Sequence, residues 1–292
     1  MTAPAGPQRI VFHTASLRGG GAERVFVLMA NELATRGHDV TFLTWNAEGP
    51  NAALLSPAVD LVNLGFPIRG EGYSRLATLD GILKSGRLFR RLKPDAVYSA
   101  PEFANLTMTL ALVFAHSRAK FFPSFHAAAS LPSKGLGGQL AIRLSKLVAW
   151  RATKAIAVSQ GVARDLENRG FPESKVVVIN NPLPPASSRP LQTPYPWQTR
   201  LAAMGEGPVI VTAGRLVPVK DHRTLLRAFA LLLTVRPARL VLFGEGPLET
   251  ALRAFADELG ISRHVLFPGY VNDPSACYAR ADLFVLSSTS EG

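Results

Sequence analysis

Short apolar runs alternate with amphipathic stretches along almost the whole chain. "RIVFHTAS" (9–16) reads as a strand. "AERVFVLMANELATR" (22–36) carries Val25, Leu28, Met29 and Leu33 at helical spacing on one face, and Gly37 marks its C-terminal stop. The pattern continues with "DVTFLTW" and "VDLVNLG" as strands and a basic helix from about Arg75 to Leu92 that ends before Pro94. The strand "DAVYSA", a helix over 102–116 and the strand "KFFPSF" follow. A second basic helix is expected near 137–151, then the strand "KAIAVS", a helix over 160–169 and the strand "KVVVIN". Short strands alternating with helices predict an α/β unit whose parallel sheet is covered on both faces.

Six prolines between Asn181 and Gln198 interrupt this rhythm and read as a linker. The alternation then restarts: strand "PVIVTAG", helix "DHRTLLRAFALLLTV", strand "RLVLFGEG", helix "LETALRAFADELG", strand "HVLFPG", a short helix near 274–281 and a buried strand "LFVL" at 283–286. The expected organisation is therefore a first Rossmann-like domain over 1–182, a Pro-rich linker over 183–206 and a second, shorter Rossmann-like domain over 207–292. In the commonest doubly wound order, 3-2-1-4-5-6, the last strand of the second domain lacks its next neighbour. More sheet is expected beyond Gly292, and 283–286 is expected to be an apolar edge.

Composition narrows the partners. The chain is 47% hydrophobic, which supports packed cores and excludes disorder. A single cysteine, Cys277, excludes a disulfide framework and a cysteine-built zinc site. No stretch reaches the roughly 18 apolar residues of a spanning helix, and "MTAPAGPQR" does not read as a secretion signal. A cytoplasmic location is expected. The net charge of +11 is uneven: residues 1–182 hold 21 Lys/Arg against 12 Asp/Glu, whereas the remainder holds 11 against 9. This asymmetry fits either solvated Arg-rich faces or an anionic partner on the first domain. Lys84, Arg87, Arg90, Arg91 and Lys93 form one basic segment. Lys134, Arg143, Lys146, Arg151 and Lys154 form another, interleaved with Leu140, Ile142, Leu144, Leu147, Val148 and Trp150 in an interfacial pattern.

Four constellations carry candidate chemistry. "LRGGGAERV" joins the first strand to the first helix, where Gly19, Gly20 and Gly21 permit a tight turn against a helix start suited to an anion. Arg24 stands where a dinucleotide fingerprint needs its third glycine, which argues against nicotinamide binding. "TAGRLVPVKDH" places Gly214, Arg215 and Lys220 between a strand end and a helix capped by Asp221, with Leu225, Leu226, Phe229, Leu232 and Leu233 on that helix's buried face. Two cations at the C-terminal end of a parallel sheet suit a diphosphate. In "FPSFHAA", His126 closes a strand and reads as structural or catalytic; no other histidine stands at metal-ligand spacing to it. In "FGEGPLE", Gly244 and Gly246 mark a turn or a close approach to a ligand.

As an ordered set, "GGGAERV" with "RGHDVTFLT", "AVSQGV", "VINNP", "AGRLVPVKD", "LFGEGPLETAL", "VLFPGYVND" and "ADLFVLSSTSEG" resemble glycosyltransferase family 4, retaining enzymes of the GT-B fold. The resemblance implies two Rossmann-like domains facing a cleft, the second one incomplete here. It implies that Arg215 and Lys220 bind a donor diphosphate, that Gly19–Gly21 approach the donor phosphates and acceptor, and that His126 lies near the transferred sugar. It also implies that Val271 lines a nucleobase pocket and that Glu291 meets the donor sugar, the family's second glutamate falling beyond Gly292. The expected function is sugar transfer from a nucleoside diphosphate sugar to a glycan or lipid-linked acceptor in cell-surface glycan assembly, without a metal or other cofactor and without nucleic acid. The expected setting is peripheral, at the inner face of the cytoplasmic membrane. A nucleotide-sugar epimerase of the same fold, or a non-catalytic nucleotide-sugar-binding fragment, is the alternative; a chain ending at Gly292 is expected to be inactive.

Overall fold

The structure, a computed structural model, describes residues 6–18, 20–68, 72–128, 143–182, 196–271, 278 and 281–289. The chain divides into two compact units, residues 1–183 and 184–291.

The first unit is built on a parallel sheet: β1 Arg9–Ser16, β2 Asp39–Asn46, β3 Asp60–Asn63, β4 Ala96–Ala100, β5 Lys120–Phe125, β6 Ala155–Ala157 and β7 Val176–Val178. Its order, β3-β2-β1-β4-β5-β6-β7, reverses direction at β1, as in a doubly wound sheet. Both faces are buried. Ile10, Phe12, Val40 and Phe42 meet Phe26, Val27 and Ala30 of helix α1, Gly21–Thr35. On the other face, Val11, Leu43, Trp45 and Val97 meet Leu88 and Phe89 of α2, Arg75–Leu92, and Leu106, Met108 and Leu112 of α3, Glu102–Phe114. The chain is completed by α4 Ser145–Arg151 and α5 Gln160–Asn168. Helix starts follow from capping: the Ser74 and Ser159 side chains accept the Ala77 and Val162 N–H groups.

Two expectations shift here. The buried centre of α1 is Phe26, Val27 and Ala30, with Val25, Met29 and Leu33 only half-buried beside it. The second basic helix is described from Ser145; residues 137–142 of the expected helix lie outside the described ones.

The second unit holds a parallel sheet of order β10-β9-β8-β11: β8 Val209–Ala213, β9 Arg239–Phe243, β10 Val265–Gly269 and β11 Leu283–Phe284. Helices α7 His222–Leu233 and α8 Glu249–Glu258 cover one face through Leu225, Leu226, Phe229, Leu252 and Phe255. The other face is covered by α6, Pro196–Ala202, inside the stretch read as linker. Proline is compatible with a first helical position, where no N–H is required. Trp197 and Leu201 of α6 are 5% exposed and pack on Val209, Val211, Val241 and Phe243, so this part of the proline-rich stretch belongs to the second core. The strand expected at 283–286 is reduced to two residues pairing with Ile210 and Val211, and instead of being buried its Leu283 and Phe284 are 53% and 43% exposed. The short helix expected near 274–281 falls mostly outside the described residues.

Candidate functional site

In the second unit, β8 ends at Ala213 and the chain turns at Gly214. The turn after β9 is pressed against it. Gly244 has φ +122°, and a Cβ there would collide with the Gly214 carbonyl oxygen; a Cβ at Gly246 would collide with the Leu216 backbone. Only glycine lets two backbones approach so closely. The turns are joined by the Gly214 N–H to the Phe243 carbonyl at 3.0 Å and the Leu216 N–H to the Glu245 carbonyl at 2.9 Å. Leu216 is fully buried, which anchors the loop and leaves the adjacent Arg215 exposed.

A 3₁₀ turn, Pro218–Lys220, follows. Asp221, at φ 42°, then caps α7 by accepting the Thr224 N–H at 3.3 Å. Lys220 is half-buried, and its stem runs along Gly214, where a Cβ would stand 3.5 Å from Lys220 Cε. The adjoining His222 is buried; that burial, and then the Lys220 charge, holds its imidazole below the usual histidine range. The loop is clasped from the far side of the sheet order. Ser287 Oγ donates to the Lys220 carbonyl at 2.8 Å, and the Thr289 N–H and Oγ1 donate to the Val219 carbonyl at 2.9 and 3.2 Å. The neighbouring β10 turn joins the same edge through the Gly244 N–H to the Gly269 carbonyl at 2.9 Å and the Tyr270 N–H to Glu245 Oε1 at 3.3 Å. Val271 is half-buried against the Trp197–Phe243 cluster. Gly214, Arg215, Lys220 and Val271 thus all lie beyond the C-terminal strand ends of one sheet, where open α/β sheets receive ligands. Glu291 lies outside the described residues.

In the first unit, Gly20 is the residue before α1, with extended backbone (φ −70°, ψ 154°) and no side-chain cap. A Cβ at Gly20 would collide with the Glu23 carboxylate, which folds back over the helix start. The turn is braced by Asn51, buried at 1% exposure, whose Nδ2 donates to the Gly20 carbonyl at 3.3 Å. Gly19 lies outside the described residues.

His126 follows β5 and is half-buried. Its ring edge lies against Phe26 of α1 at 6.1 Å between centroids, and its Nε2 lies 3.1 Å from Ser124 Oγ. Burial lowers its pKa to about 4, so the ring is neutral at neutral pH. Three features of these sites carry no local sequence signal: the Ser287–Thr289 clasp, the Glu245 contact to Tyr270, and a polar chain from Ser99 through Asn105 to Ser124. Each joins residues that become neighbours only through sheet order. Among the described residues, no group of three or more His, Cys, Asp or Glu gathers that could hold a metal ion.

Residues 19–187 match Glycosyltransferase Family 4 and residues 197–292 match Glycosyl transferases group 1. The lipopolysaccharide core biosynthesis glycosyltransferase LpsE of Rhizobium meliloti (strain 1021) is 29% identical over 279 residues, covering 94% of this chain and 71% of LpsE. The N-acetylgalactosamine-N,N'-diacetylbacillosaminyl-diphospho-undecaprenol 4-alpha-N-acetylgalactosaminyltransferase of Campylobacter jejuni is 39% identical over 83 residues, 28% of this chain and 22% of that protein. Among solved structures, HepE of Anabaena in complex with UDP and glucose superposes with a TM-score of 0.74 at 21% identity, over 97% of this chain and 74% of HepE. With these matches laid over two doubly wound parallel sheets, the chain belongs to glycosyltransferase family 4 and has the GT-B, Rossmann-like fold.

Proposed function

We propose that this glycosyltransferase takes its sugar from a nucleoside diphosphate sugar and passes it to a glycan or lipid-linked acceptor in cell-surface glycan assembly. The observation that carries the reading is the Arg215–Lys220 loop: two cations on one braced turn, between a strand end and a helix start. LpsE supports the glycan context by name, HepE supports the donor class by the UDP and glucose it holds, and the Campylobacter enzyme supports a lipid-linked acceptor by name.

In this reading Arg215 and Lys220 take the donor diphosphate. Cleaving the sugar–phosphate bond leaves extra negative charge on the departing nucleoside diphosphate, and fixed cations at that position stabilise the transition state more than the ground state. Val271 serves the nucleobase, Gly19–Gly21 the phosphates and acceptor, His126 and Glu291 the sugar, and the anomeric configuration is retained. Charge stabilisation by the two cations replaces that of a divalent metal.

The test is nucleoside diphosphate binding by calorimetry together with transfer of labelled sugar. Arg215→Ala and Lys220→Ala are each expected to lower turnover about a hundredfold, equivalent to ~3 kcal/mol, and to weaken diphosphate binding, while EDTA leaves both unchanged. Activity abolished by EDTA and restored by magnesium refutes the metal-free reading. Unaltered diphosphate affinity in both variants refutes the site.

The first unit is also proposed to dock on an anionic membrane. Arg143, Lys146 and Trp150 are exposed on and before α4, Trp150 at 65%, so basic and aromatic groups share the solvent side of this segment.

A further inference from the structure

Among the described residues His126 has a single hydrogen-bond partner, and that partner is itself held in place. Ser124 Oγ lies 3.1 Å from His126 Nε2. Ser124 is 3% exposed on β5, and its carbonyl accepts from Asn105 Nδ2 at 2.9 Å. Asn105 is fully buried on α3, and its Oδ1 accepts from Ser99 Oγ of β4 at 2.6 Å. The amide has one orientation, because Nδ2 must face the Ser124 carbonyl and Oδ1 then takes the Ser99 hydroxyl proton. Two strands and the helix between them are thereby joined under His126 through side chains that water does not reach.

The network holds the Ser124 backbone, and the Ser124 hydroxyl determines where the imidazole proton sits. A buried hydroxyl left without an acceptor is costly, and among the described residues the acceptor within reach of Ser124 Oγ is His126 Nε2. Ser124 therefore donates to Nε2. A neutral imidazole has one proton, which must then reside on Nδ1. Among the described residues, the hydrogen bond that His126 makes is through Nε2, not Nδ1.

We propose that Ser124, backed by Asn105 and Ser99, is a positioning residue that fixes His126 as the Nδ1–H tautomer, so that His126 offers a hydrogen-bond donor to an oxygen of the bound sugar rather than a proton acceptor. The sugar-facing part rests on the function proposed above; the tautomer does not. Burial keeps the ring neutral down to about pH 4, so it carries a single proton across the working range.

The deciding measurement is a long-range nitrogen–proton correlation of isotope-labelled histidine rings in the full chain near neutral pH, with His126 assigned by its loss in His126→Gln. An Nδ1–H pattern is expected in the wild type and in Ser124→Thr, which keeps the hydroxyl. An Nε2–H or mixed pattern is expected in Ser124→Ala. An Nε2–H pattern in the wild type overturns the proposal whatever the variants do, and an unshifted Nδ1–H pattern in folded Ser124→Ala overturns it as well. In the transfer assay, Ser124→Ala is expected to lower kcat about tenfold with donor KM little changed, and Ser124→Thr to recover most of it. Wild-type kcat in Ser124→Ala removes the positioning role. Wild-type turnover in His126→Gln instead removes the sugar-facing role and leaves the tautomer to stand or fall on the spectra.

Discussion

Gly244 and His13 show how much single positions carry. Gly244 combines a left-handed φ of +122° with a missing Cβ that would strike the Gly214 carbonyl. Gly244→Ala is expected to lose about 1–3 kcal/mol through strain and overpacking, read as a lower urea midpoint at unchanged slope, and to weaken diphosphate binding because the Arg215 loop rests on this turn. His13 is fully buried in β1; its Nδ1 bonds the Leu43 carbonyl at 2.9 Å, and its Nε2 has no partner among the described residues. Burial lowers its pKa from 6.5 to about 4, partly offset by the Leu43 bond. Below pH 6.5 the unfolded chain takes up a proton that the folded chain refuses, so stability falls as pH drops from 6.5 towards 4 and levels off below that. The loss is about 3 kcal/mol, and His126 adds to it in the same direction. Denaturation at stepped pH should show a shallower acid slope in His13→Gln than in the wild type; equal slopes contradict the assignment.

At the scale of elements, strands and helices were legible because their apolar patterns are strong, whereas phase and membership were not. Helix α1 is apolar on most sides of "VFVLMA", so spacing alone does not choose between Val25 and Phe26 as the inward position. Contact with Phe12 decides it, at 5.5 Å between ring centroids. The α6 segment was hidden by proline content, since Pro196 opens the helix and the anchoring Trp197 reads as an isolated aromatic. Trp197→Ala is expected to cost about 3–5 kcal/mol of second-unit stability, because the indole packs edge-on against Phe243 at 5.0 Å. A change below ~0.5 kcal/mol, the range of an exposed site, would return α6 to the status of a linker.

Across the molecule, the positive charge is concentrated on the first unit, but structure divides it into two populations. Arg90 donates to the Phe114 carbonyl and lies over the Phe114 ring, Arg151 donates to the Ser117 and Ala119 carbonyls, Lys154 donates to the Ser174 carbonyl, and Lys84 pairs with Asp80. These cations are engaged within the first unit and are poor evidence for an anionic partner. Arg143 and Lys146 remain exposed beside Trp150. Trp150→Ala combined with Lys146→Ala is therefore expected to reduce co-sedimentation with anionic vesicles about tenfold, each basic group being worth ~1 kcal/mol and screened by salt. Equal binding to neutral and anionic vesicles would eliminate the docking surface.

The local pattern by itself determined the α/β class, two sheets with a break between them, and the Arg215–Lys220 loop proposed to take the donor. Arg215, Lys220 and the Asp221 cap sit within eight residues of Gly214, and a strand-to-helix turn displays its own side chains at the sheet's ligand-binding edge. Tertiary structure alone decided what sits behind those residues. Ser287 and Thr289 reach Val219 and Lys220 only because β11 lies beside β8, and Ser99, Asn105 and Ser124 align under His126 only because β4 and β5 are neighbours with α3 laid across them. Hydrophobic periodicity encodes which face of an element is buried; it carries no record of which strand becomes its neighbour, and the hydrogen bonds that orient a site are made between neighbours.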